Sequence, residues 1–329
     1  MPVSNSPILV TGGAGYIGSV LVGQLLSHDY NVRVIDNLMH GQSSLEIYHG
    51  NKNLEHITGD IRSSRDVDQA LKGVGGVVHL AAIVGDPACE KNPELAVEVN
   101  RDASKLLYRK SLEHKVERLV FTSTCSNYGK MDNHNGYVDE SSELKPISHY
   151  ARLKVDFEKF ILNQKNQSLS AVVLRFATAY GLSPRIRLDL TLNEFTVMLA
   201  LGRKLQVYGE QFWRPYAHTS DLARACVLAL EHDFSKISGQ PFNVGATNEN
   251  YQKRTLVEKI VKELPQMAAN VEFVKKEEDP RDYRVNFDLI KKALDYKNSK
   301  TVNDGISEFI AAVRNGQIKD FDNPLYRNA

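Results

Sequence analysis

The feature that most constrains the fold is a cluster of glycines near the amino end, in Thr-Gly-Gly-Ala-Gly-Tyr-Ile-Gly at residues 11–18. A short apolar run precedes the cluster at residues 8–10, and an amphipathic stretch follows it. Glycine permits a turn that a Cβ would obstruct, and it lets backbone N–H groups approach phosphate oxygens. The N-terminus of the following helix then faces the anion. The segment therefore predicts a strand, a tight turn and a helix that hold the pyrophosphate of a dinucleotide.

A second apolar run, at residues 32–35, indicates which dinucleotide binds. It ends at Asp36, near the distance of about 20 residues at which an acid accepts hydrogen bonds from the ribose hydroxyls. A carboxylate there repels a 2′-phosphate, so the sequence predicts NAD rather than NADP. A glycine turn alone would also suit an ordinary strand–helix connection, but the strand, the helix and the acid together favour a nucleotide site. The predicted cofactor contacts in this region are Gly12, Gly15, Tyr16, Ile17, Gly18, Asp36 and Asn37.

Size and charge narrow the class of protein. A chain of 329 residues exceeds the usual size of one hydrophobic core and can divide into two domains. The formal net charge of +1 and the lack of a long basic block give no reason to expect nucleic acid or an acidic membrane surface as a partner. Three cysteines without metal-ligand spacing predict no metal site and suit a reducing cytosol. With no signal-like N-terminus and no apolar run near the roughly 18 residues of a membrane span, we expect a cytoplasmic protein.

Strand-like and helix-like patterns alternate along much of the chain. Six segments have the apolar pattern of buried strands, namely residues 8–10, 32–35, 54–61, 76–82, 118–124 and 171–180. Alternation of this kind predicts an α/β fold with a doubly wound parallel sheet of the Rossmann type and helices on both faces. The regularity fades after Gly181, which indicates a smaller mixed α/β domain for the substrate.

The two predicted domains exchange segments of the chain, because the strong helix pattern at residues 220–231 follows the irregular region. We assign residues 1–176 and about 215–236 to the NAD-binding domain. The substrate domain then takes residues of about 177–214 and 237–329. No low-complexity linker separates the two parts.

Three side chains predict the chemistry. Thr124 ends the strand pattern at residues 118–124, while Tyr150 and Lys154 lie one turn apart on one face of the next helix pattern. A phenol with a pKa near 10 is a poor base at neutral pH, but a nearby ammonium and an NAD pyridinium would lower that pKa. Tyr150 could then take the proton of an alcohol whose carbon gives hydride to nicotinamide, while Thr124 holds the same oxygen.

Together these residues resemble a known family, the extended short-chain dehydrogenases/reductases that act on nucleotide sugars, such as UDP-galactose 4-epimerase and dTDP-glucose 4,6-dehydratase. The resemblance covers nearly the whole chain. It is carried by Gly12, Gly15, Gly18, Asp36, Gly59-Asp60-Ile61, His79-Leu80-Ala81-Ala82, Thr124, Tyr150, Lys154, Arg175, Arg214 and Asp221.

The resemblance implies further cofactor contacts. Asp60 and Ile61 would contact adenine, and Ala81 and Ala82 would border the nicotinamide. The three residues that predict the chemistry would form the catalytic set, and Lys154 would also hold the nicotinamide ribose.

The resemblance also implies how the substrate is held. Arg214 and Arg281 match positions that bind the diphosphate, and guanidinium groups suit phosphate oxygens. Arg185 and Arg187 are further candidates, although each could instead form an ion pair with a carboxylate of the protein.

A tighter resemblance lies in three segments, residues 84–87, 181–190 and 279–285, which are similar to the branch of bacterial GDP-heptose 4-dehydrogenases and related epimerase/dehydratases. The chain also departs from the family. The 4,6-dehydratases carry an Asp-Glu pair after the catalytic threonine, where this chain has Cys125 and Ser126, so ordinary dehydration is disfavoured. Cys125 could still act as an acid or could be a small buried hydrophobe. The epimerases carry Asn where this chain has Thr178.

These inferences predict an NAD-dependent enzyme that oxidises the C4 hydroxyl of a nucleotide sugar by hydride transfer to tightly bound NAD. The hydride then either returns on the opposite face to give an epimer or leaves a 4-keto sugar. The alternatives are a dehydratase that uses Cys125 and a non-catalytic NAD-sensing protein of the same fold. The resemblance further implies a homodimer, formed through the helices predicted near residues 93–114 and 149–163.

Overall fold

The computed structural model describes residues 6–41, 43–131, 136–164, 168–276 and 281–328. Within these ranges the strands, numbered in chain order, are β1 (Ile8–Thr11), β2 (Val32–Asp36), β3 (Leu54–Thr58), β4 (Gly76–His79), β5 (Arg118–Thr124), β6 (Ser170–Phe176), β7 (Thr178–Tyr180), β8 (Leu205–Tyr208), β9 (Trp213–His218), β10 (Pro241–Val244), β11 (Asn250–Gln252) and β12 (Val271–Val274). The helices are α1 (Tyr16–Ser27), α2 (Ser43–Glu46), α3 (Ser64–Leu71), α4 (Asp86–Lys91), α5 (Pro93–Val97), α6 (Ser104–Glu113), α7 (His149–Leu162), α8 (Thr191–Ala200), α9 (Thr219–Glu231), α10 (Phe234–Ile237), α11 (Lys253–Glu263), α12 (Asp288–Leu294) and α13 (Val302–Arg314).

The large sheet has seven strands in the order β10-β6-β5-β4-β1-β2-β3. Every neighbouring pair in it is parallel. The order reverses between β1 and β4, and ligands of such sheets bind in the crevice outside the carboxyl ends of the strands at this point. The predicted doubly wound α/β fold is confirmed.

Helices cover both faces of the large sheet, because its strands are apolar on both sides. Leu21 of α1 packs with Leu222 of α9 in the core on one face. Val67 of α3, Leu107 of α6 and Phe157 of α7 belong to the core on the other face. Burial of one such side chain contributes about 1.5–3 kcal/mol to stability. These two cores hold rigid the strand ends from which the crevice is built.

Two predicted elements differ from the structure. The single strand pattern at residues 171–180 forms β6 and β7, because β6 pairs with β5 and β10 in the large sheet while β7 pairs with β9 in another. The single helix pattern at residues 93–114 is interrupted by a π-helical segment, Glu98–Ala103. Asn100 in that segment accepts a hydrogen bond from the N–H of Ile83 at 2.8 Å and donates one to its carbonyl oxygen at 2.9 Å. The π-segment thereby holds the loop that follows β4.

A smaller region carries the other sheets. A three-stranded mixed sheet has the order β11-β9-β7, and a two-stranded parallel sheet pairs β12 with β8. Leu192 of α8, Leu256 of α11 and Ile306 of α13 share the core of this region. The predicted boundary at residue 237 would assign β10 to the substrate domain, whereas β10 pairs with β6 in the large sheet. The division of the remaining chain into two domains stays a prediction.

Membrane spans and metal-type clusters are both absent from the residue ranges that the structure describes. No helix there is long and apolar enough to cross a bilayer. The longest, α7, has 14 residues, and a span needs about 20. In the same ranges no three His, Cys, Asp or Glu side chains are grouped so that they could hold a metal ion.

Candidate active site

A cleft of about 750 Å³ opens at the carboxyl ends of the parallel strands and extends between the large sheet and the smaller region. The structure brings together in this cleft every residue that the sequence predicts to bind cofactor or substrate or to oxidise the sugar, but not Cys125, the acid of the alternative dehydratase. They are Gly12, Gly15, Tyr16, Ile17, Gly18, Asp36, Asn37, Asp60, Ile61, Ala81, Ala82, Thr124, Tyr150, Lys154, Arg185, Arg187, Arg214 and Arg281. Their individual roles remain predictions.

The glycine turn joins β1 to α1 through backbone contacts that leave no room for side chains. Gly12 has a φ of +73°, and a Cβ on it would lie 2.7 Å from the backbone nitrogen of Ala81. A Cβ on Gly18 would overlap the carbonyl oxygen of Gly12 and lie 2.8 Å from the Cα of Gly13. Gly15 caps α1 without a side-chain hydrogen bond. The first N–H groups of the helix therefore have no side-chain acceptor, so this cradle fits a dinucleotide pyrophosphate.

Asp36 lies at the end of β2, beside the glycine turn. Its carboxylate accepts hydrogen bonds from the N–H of Ala14 at 3.0 Å and from the N–H of Leu38 at 2.8 Å. Each carboxylate oxygen has a second lone pair, so the group can still accept a bond from a ribose hydroxyl. On the adjacent loop, the Arg62 guanidinium holds the pKa of Asp60 below its usual value.

The predicted catalytic side chains come from β5 and α7. Ser148 accepts a hydrogen bond from the N–H of Ala151 at 3.2 Å, which fixes the start of α7 and places Tyr150 in its first turn. Lys154 is 4% exposed, and its Nζ donates to the carbonyl oxygen of Thr122 at 2.9 Å. The same Nζ lies 5.9 Å from the centre of the Tyr150 ring. The spacing of Tyr150 and Lys154 along one helix therefore puts the phenol and the ammonium side by side.

Burial dominates the ionisation of both α7 residues. It lowers the pKa of Lys154 to about 8 and raises the pKa of Tyr150. Among the neighbouring cations, the guanidinium of Arg187 counteracts the rise in the Tyr150 pKa. A low-dielectric pocket thus disfavours both charged forms in the protein alone.

Thr124 and Ser126 form a hydroxyl pair at the end of β5. The Oγ1 of Thr124 accepts a hydrogen bond from the N–H of Ser126 at 3.1 Å, and the two side-chain oxygens lie 3.0 Å apart. Both residues line the cleft. Cys125 between them does not, since its Sγ is buried and donates to the carbonyl oxygen of Arg175 at 3.2 Å. Burial also raises the pKa of this thiol, so Cys125 packs as a small core residue.

Two of the predicted substrate arginines are paired with carboxylates. Arg187 makes two parallel hydrogen bonds to Asp189, at 2.9 and 2.8 Å. Arg281 pairs with Asp86 at 2.8 Å, which links two of the segments that carry the tighter resemblance. The first two residues of the segment that contains Arg281, residues 279 and 280, lie outside the described residues.

The other two arginines are mostly buried. Arg214 donates to the carbonyl oxygen of Trp213 at 2.7 Å and lies over the Tyr283 ring. Arg185 is only 6% exposed and donates to the carbonyl oxygen of Arg327 at 3.1 Å.

His79 has a structural role. Its Nδ1 lies 2.7 Å from the Oγ1 of Thr11, and its Nε2 lies 2.9 Å from the Oγ of Ser104. Burial lowers its pKa to about 3, so the ring is neutral at physiological pH. Because both ring nitrogens are satisfied, His79 joins β1, β4 and α6 rather than serving as a base.

Several cleft residues were not predicted from the sequence. They include Met39, His40, Lys253, Tyr283, Arg327 and Asn328. The N–H of Asn328 donates to Asp189 at 3.2 Å, and its Nδ2 donates to the carbonyl oxygen of Val84 at 3.4 Å. Tyr283 belongs to the segment 279–285 that carries the tighter resemblance, whereas no local motif marks the other positions, because they reach the cleft through contacts between distant parts of the chain.

Comparisons with known proteins show which family the chain is similar to. Residues 8–245 match the model of the NAD dependent epimerase/dehydratase family. A UDP-glucose 4-epimerase of Halalkalibacterium halodurans is 33% identical over 260 residues, which are 72% of this chain and 75% of that protein.

Solved structures match almost the whole chain. One is the dTDP-glucose 4,6-dehydratase DesIV of Streptomyces venezuelae with NAD and TYD bound, with a TM-score of 0.84 and 27% identity over 97% of this chain and 99% of the other. Another is the UDP-glucose 4-epimerase of Thermotoga maritima with UDP-glucose, with a TM-score of 0.83 and 25% identity over 95% of this chain and all of the other.

Proposed function

Because the chain belongs to the NAD-dependent epimerase/dehydratase family, we propose that it oxidises the C4 hydroxyl of the sugar in a nucleotide sugar. As a member of this family the protein is an enzyme, and its cofactor is NAD. The hydride taken from C4 is then returned on the opposite face of the sugar to give the C4 epimer, or the 4-keto sugar is released.

One observation carries the proposal, namely that a phenol, an ammonium and a hydroxyl pair line the same cleft as the glycine turn. A non-catalytic NAD-binding protein would need only the turn and Asp36. A buried lysine with a pKa near 8, held at 2.9 Å from a strand carbonyl, is costly to a fold and typical of a functional site.

The proton step falls to Tyr150. Bound NAD supplies a positively charged nicotinamide ring that accepts the hydride and favours the phenolate. Lys154, fixed by its bond to Thr122, adds its positive charge beside the phenol ring. Tyr150 then removes the C4 hydroxyl proton as the C4 carbon gives up its hydride, and it returns the proton when the hydride comes back. Thr124 holds the reacting oxygen by a hydrogen bond.

The diphosphate of the substrate requires cations at the other end of the cleft. We assign this role to Arg214 and Arg281, with Arg187 as a further candidate. The guanidinium of Arg187 is already oriented by its two bonds to Asp189, so it can present its remaining N–H groups to an anion.

The positions after Thr124 disfavour dehydration. Loss of water from the sugar needs an acid and a base beside the reacting carbons, and the chain offers Cys125 and Ser126 there. Because Cys125 is buried outside the cleft with a raised pKa, it cannot deliver a proton to a sugar. Ser126 is the only one of the two that lines the cleft, and a serine hydroxyl is a weak acid.

The test combines an absorbance assay with product analysis. NADH formation is followed with a panel of UDP-, GDP-, dTDP- and CDP-sugars, and the product of the responding sugar is identified by NMR. We expect inversion or oxidation at C4 without loss of water. Tyr150→Phe is the matched control, since it should retain NAD but lose hydride transfer. A lack of conversion with every sugar, or unchanged turnover in Tyr150→Phe, would contradict the proposal.

We also propose that the enzyme is a cytoplasmic homodimer that pairs through α5, α6 and α7. All three cysteines are free and buried, which suits a reducing compartment. Light scattering after gel filtration measures the mass of the assembly. Reversal of the charge at the exposed Arg109 of α6, as Arg109→Glu, should weaken the dimer if this helix lies at the interface.

A further inference from the structure

The loop after β7 is fastened directly to the first turn of the dinucleotide helix. The Oγ of Ser183 donates a hydrogen bond to the carbonyl oxygen of Tyr16 at 2.6 Å and lies 3.1 Å from the Oγ of Ser19. In the opposite direction, the hydroxyl of Tyr16 donates to the carbonyl oxygen of Gly181 at 2.6 Å. These buried bonds join segments more than 160 residues apart. The loop therefore has a fixed position beside the N-terminus of α1.

Arg185 is one of the charged side chains that this loop brings into the cleft. Its backbone N–H donates to the Oγ of Ser183 at 3.2 Å, so the residue is tied to the same connection. The side chain is more than nine-tenths buried and lines the cleft. Its Nη2 donates to the Arg327 carbonyl oxygen, while its buried Nε has no hydrogen-bond partner. Among the described residues it makes no ion pair with a carboxylate, in contrast to Arg187, which is paired with Asp189.

A buried guanidinium without a counter-ion needs an anion. An unpaired N–H of a charged group in a low-dielectric site costs more than a neutral one, and burial accordingly lowers the pKa of Arg185 to about 10. Of the neighbouring charges, the guanidinium of Arg187 lowers the pKa of Arg185 further, while the carboxylates of Asp189 and Asp36 counteract the fall. The position of Arg185 follows from the bonds of Ser183 to Tyr16 and Ser19, which hold the loop beside the N-terminus of α1.

We propose that Arg185 binds the pyrophosphate of NAD, facing the N–H groups of the glycine turn from the opposite wall of the cleft. The sequence alone makes this arginine a candidate for the substrate diphosphate or for an ion pair with a carboxylate of the protein. Its attachment to α1 favours the cofactor instead, because the loop holds it where the helix N-terminus already attracts a phosphate. The guanidinium N–H groups match phosphate oxygens in geometry and charge.

One consequence rests on the proposed function. The positive charge of the nicotinamide disappears on reduction, but the charge of the pyrophosphate does not change. An arginine on the pyrophosphate therefore binds oxidised and reduced cofactor alike. The contact keeps NADH in the cleft between the two hydride transfers, as an epimerase requires.

The experiment measures cofactor binding without turnover. Arg185→Met removes the charge and keeps the length of the stem, Arg185→Lys keeps the charge and loses the fork, and Arg314→Met removes an exposed arginine of α13 as a control. The dissociation rate of NADH is followed by the loss of its protein-bound fluorescence after mixing with excess NAD. Affinities for UDP and GDP are measured by calorimetry on the same proteins, and circular dichroism checks their folding.

We expect NADH to dissociate from Arg185→Met about 10- to 100-fold faster than from wild type. This factor corresponds to the free energy of one hydrogen bond to a charged group. Arg185→Lys should be intermediate, and Arg314→Met should match wild type. If Arg185→Met does not fold, the NADH dissociation rate of Arg185→Lys is the test. An unchanged rate in that variant overturns the proposal. Weaker binding of UDP or GDP with unchanged NADH dissociation would also overturn it and return Arg185 to the substrate. Neither readout needs a reactive sugar, so failure of the proposed activity is distinguishable from failure of this assignment.

Discussion

Lys154→Met should stabilise the cofactor-free protein near neutral pH, although it removes a predicted catalytic side chain. Burial lowers the pKa of Lys154 from the usual 10.5 to about 8. At about 1.4 kcal/mol for each pKa unit, the buried ammonium costs the fold about 3 kcal/mol at pH 7. Methionine fills a similar volume and gives up the hydrogen bond to Thr122, worth about 1 kcal/mol. The expected net gain is about 2 kcal/mol.

The sign of the pH dependence follows from proton binding. As the pH falls, the unfolded chain protonates this lysine from about 10.5, whereas the folded chain does so only from about 8. Between these values the unfolded state binds more protons, so the stability of the wild type rises with pH in this window. The advantage of Lys154→Met is therefore complete below pH 8 and disappears as the pH approaches 10.5.

Thermal unfolding of NAD-free protein at pH 7 and pH 10 measures the effect. A change of 1 kcal/mol in the free energy of unfolding shifts the melting temperature by about 2–4 °C, and by less in a chain of this length. Lys154→Met should therefore melt about 4 °C higher than wild type at pH 7 and within about 1 °C of it at pH 10. Lys159→Met, an exposed position on the same helix, should show no such difference between the two pH values. A lower melting temperature for Lys154→Met at pH 7, or an equal rise at both pH values, would refute the reasoning.

Three further substitutions test other parts of the cleft. Gly18→Ala should lower the stability of the protein by about 1–3 kcal/mol and abolish NAD binding in a fluorescence titration, because its Cβ would meet the backbone of the glycine turn. Normal affinity for NAD would contradict the assignment of this turn to the pyrophosphate. Cys125→Ala should leave kcat within about twofold of wild type, and a large loss would reinstate the thiol as an acid. Arg214→Met should raise the KM for the nucleotide sugar about 10- to 100-fold with NAD still bound, and an unchanged KM would exclude a role in diphosphate binding.

The sequence was sufficient where a function depends on local spacing. The glycines of the turn follow a strand and begin a helix, so their conformation and the phosphate cradle can be derived from consecutive residues. Asp36 ends the next strand, and a separation of four positions puts Tyr150 and Lys154 on one face of α7. In each case the helix or strand period determines the geometry.

Local sequence patterns did not predict the properties that depend on residues distant in the chain. The apolar run at residues 171–180 contains no sign that its two halves pair in different sheets. Burial, rather than the neighbouring ammonium, dominates the ionisation of Tyr150 in the protein alone, and that burial exists only after the chain has folded.

The arginines and Cys125 illustrate the same division. The sequence supplied cations of the right type after β7, but the pairing of Arg187 with Asp189 and the attachment of the Arg185 loop to α1 arise from tertiary contacts. Likewise only the packed core decides that Cys125 faces away from the cleft while Ser126 lines it. Residue type and spacing thus determined which chemistry the chain can carry, and long-range packing decided which ligand each group meets, because charge and hydrogen bonding act through space and not along the chain.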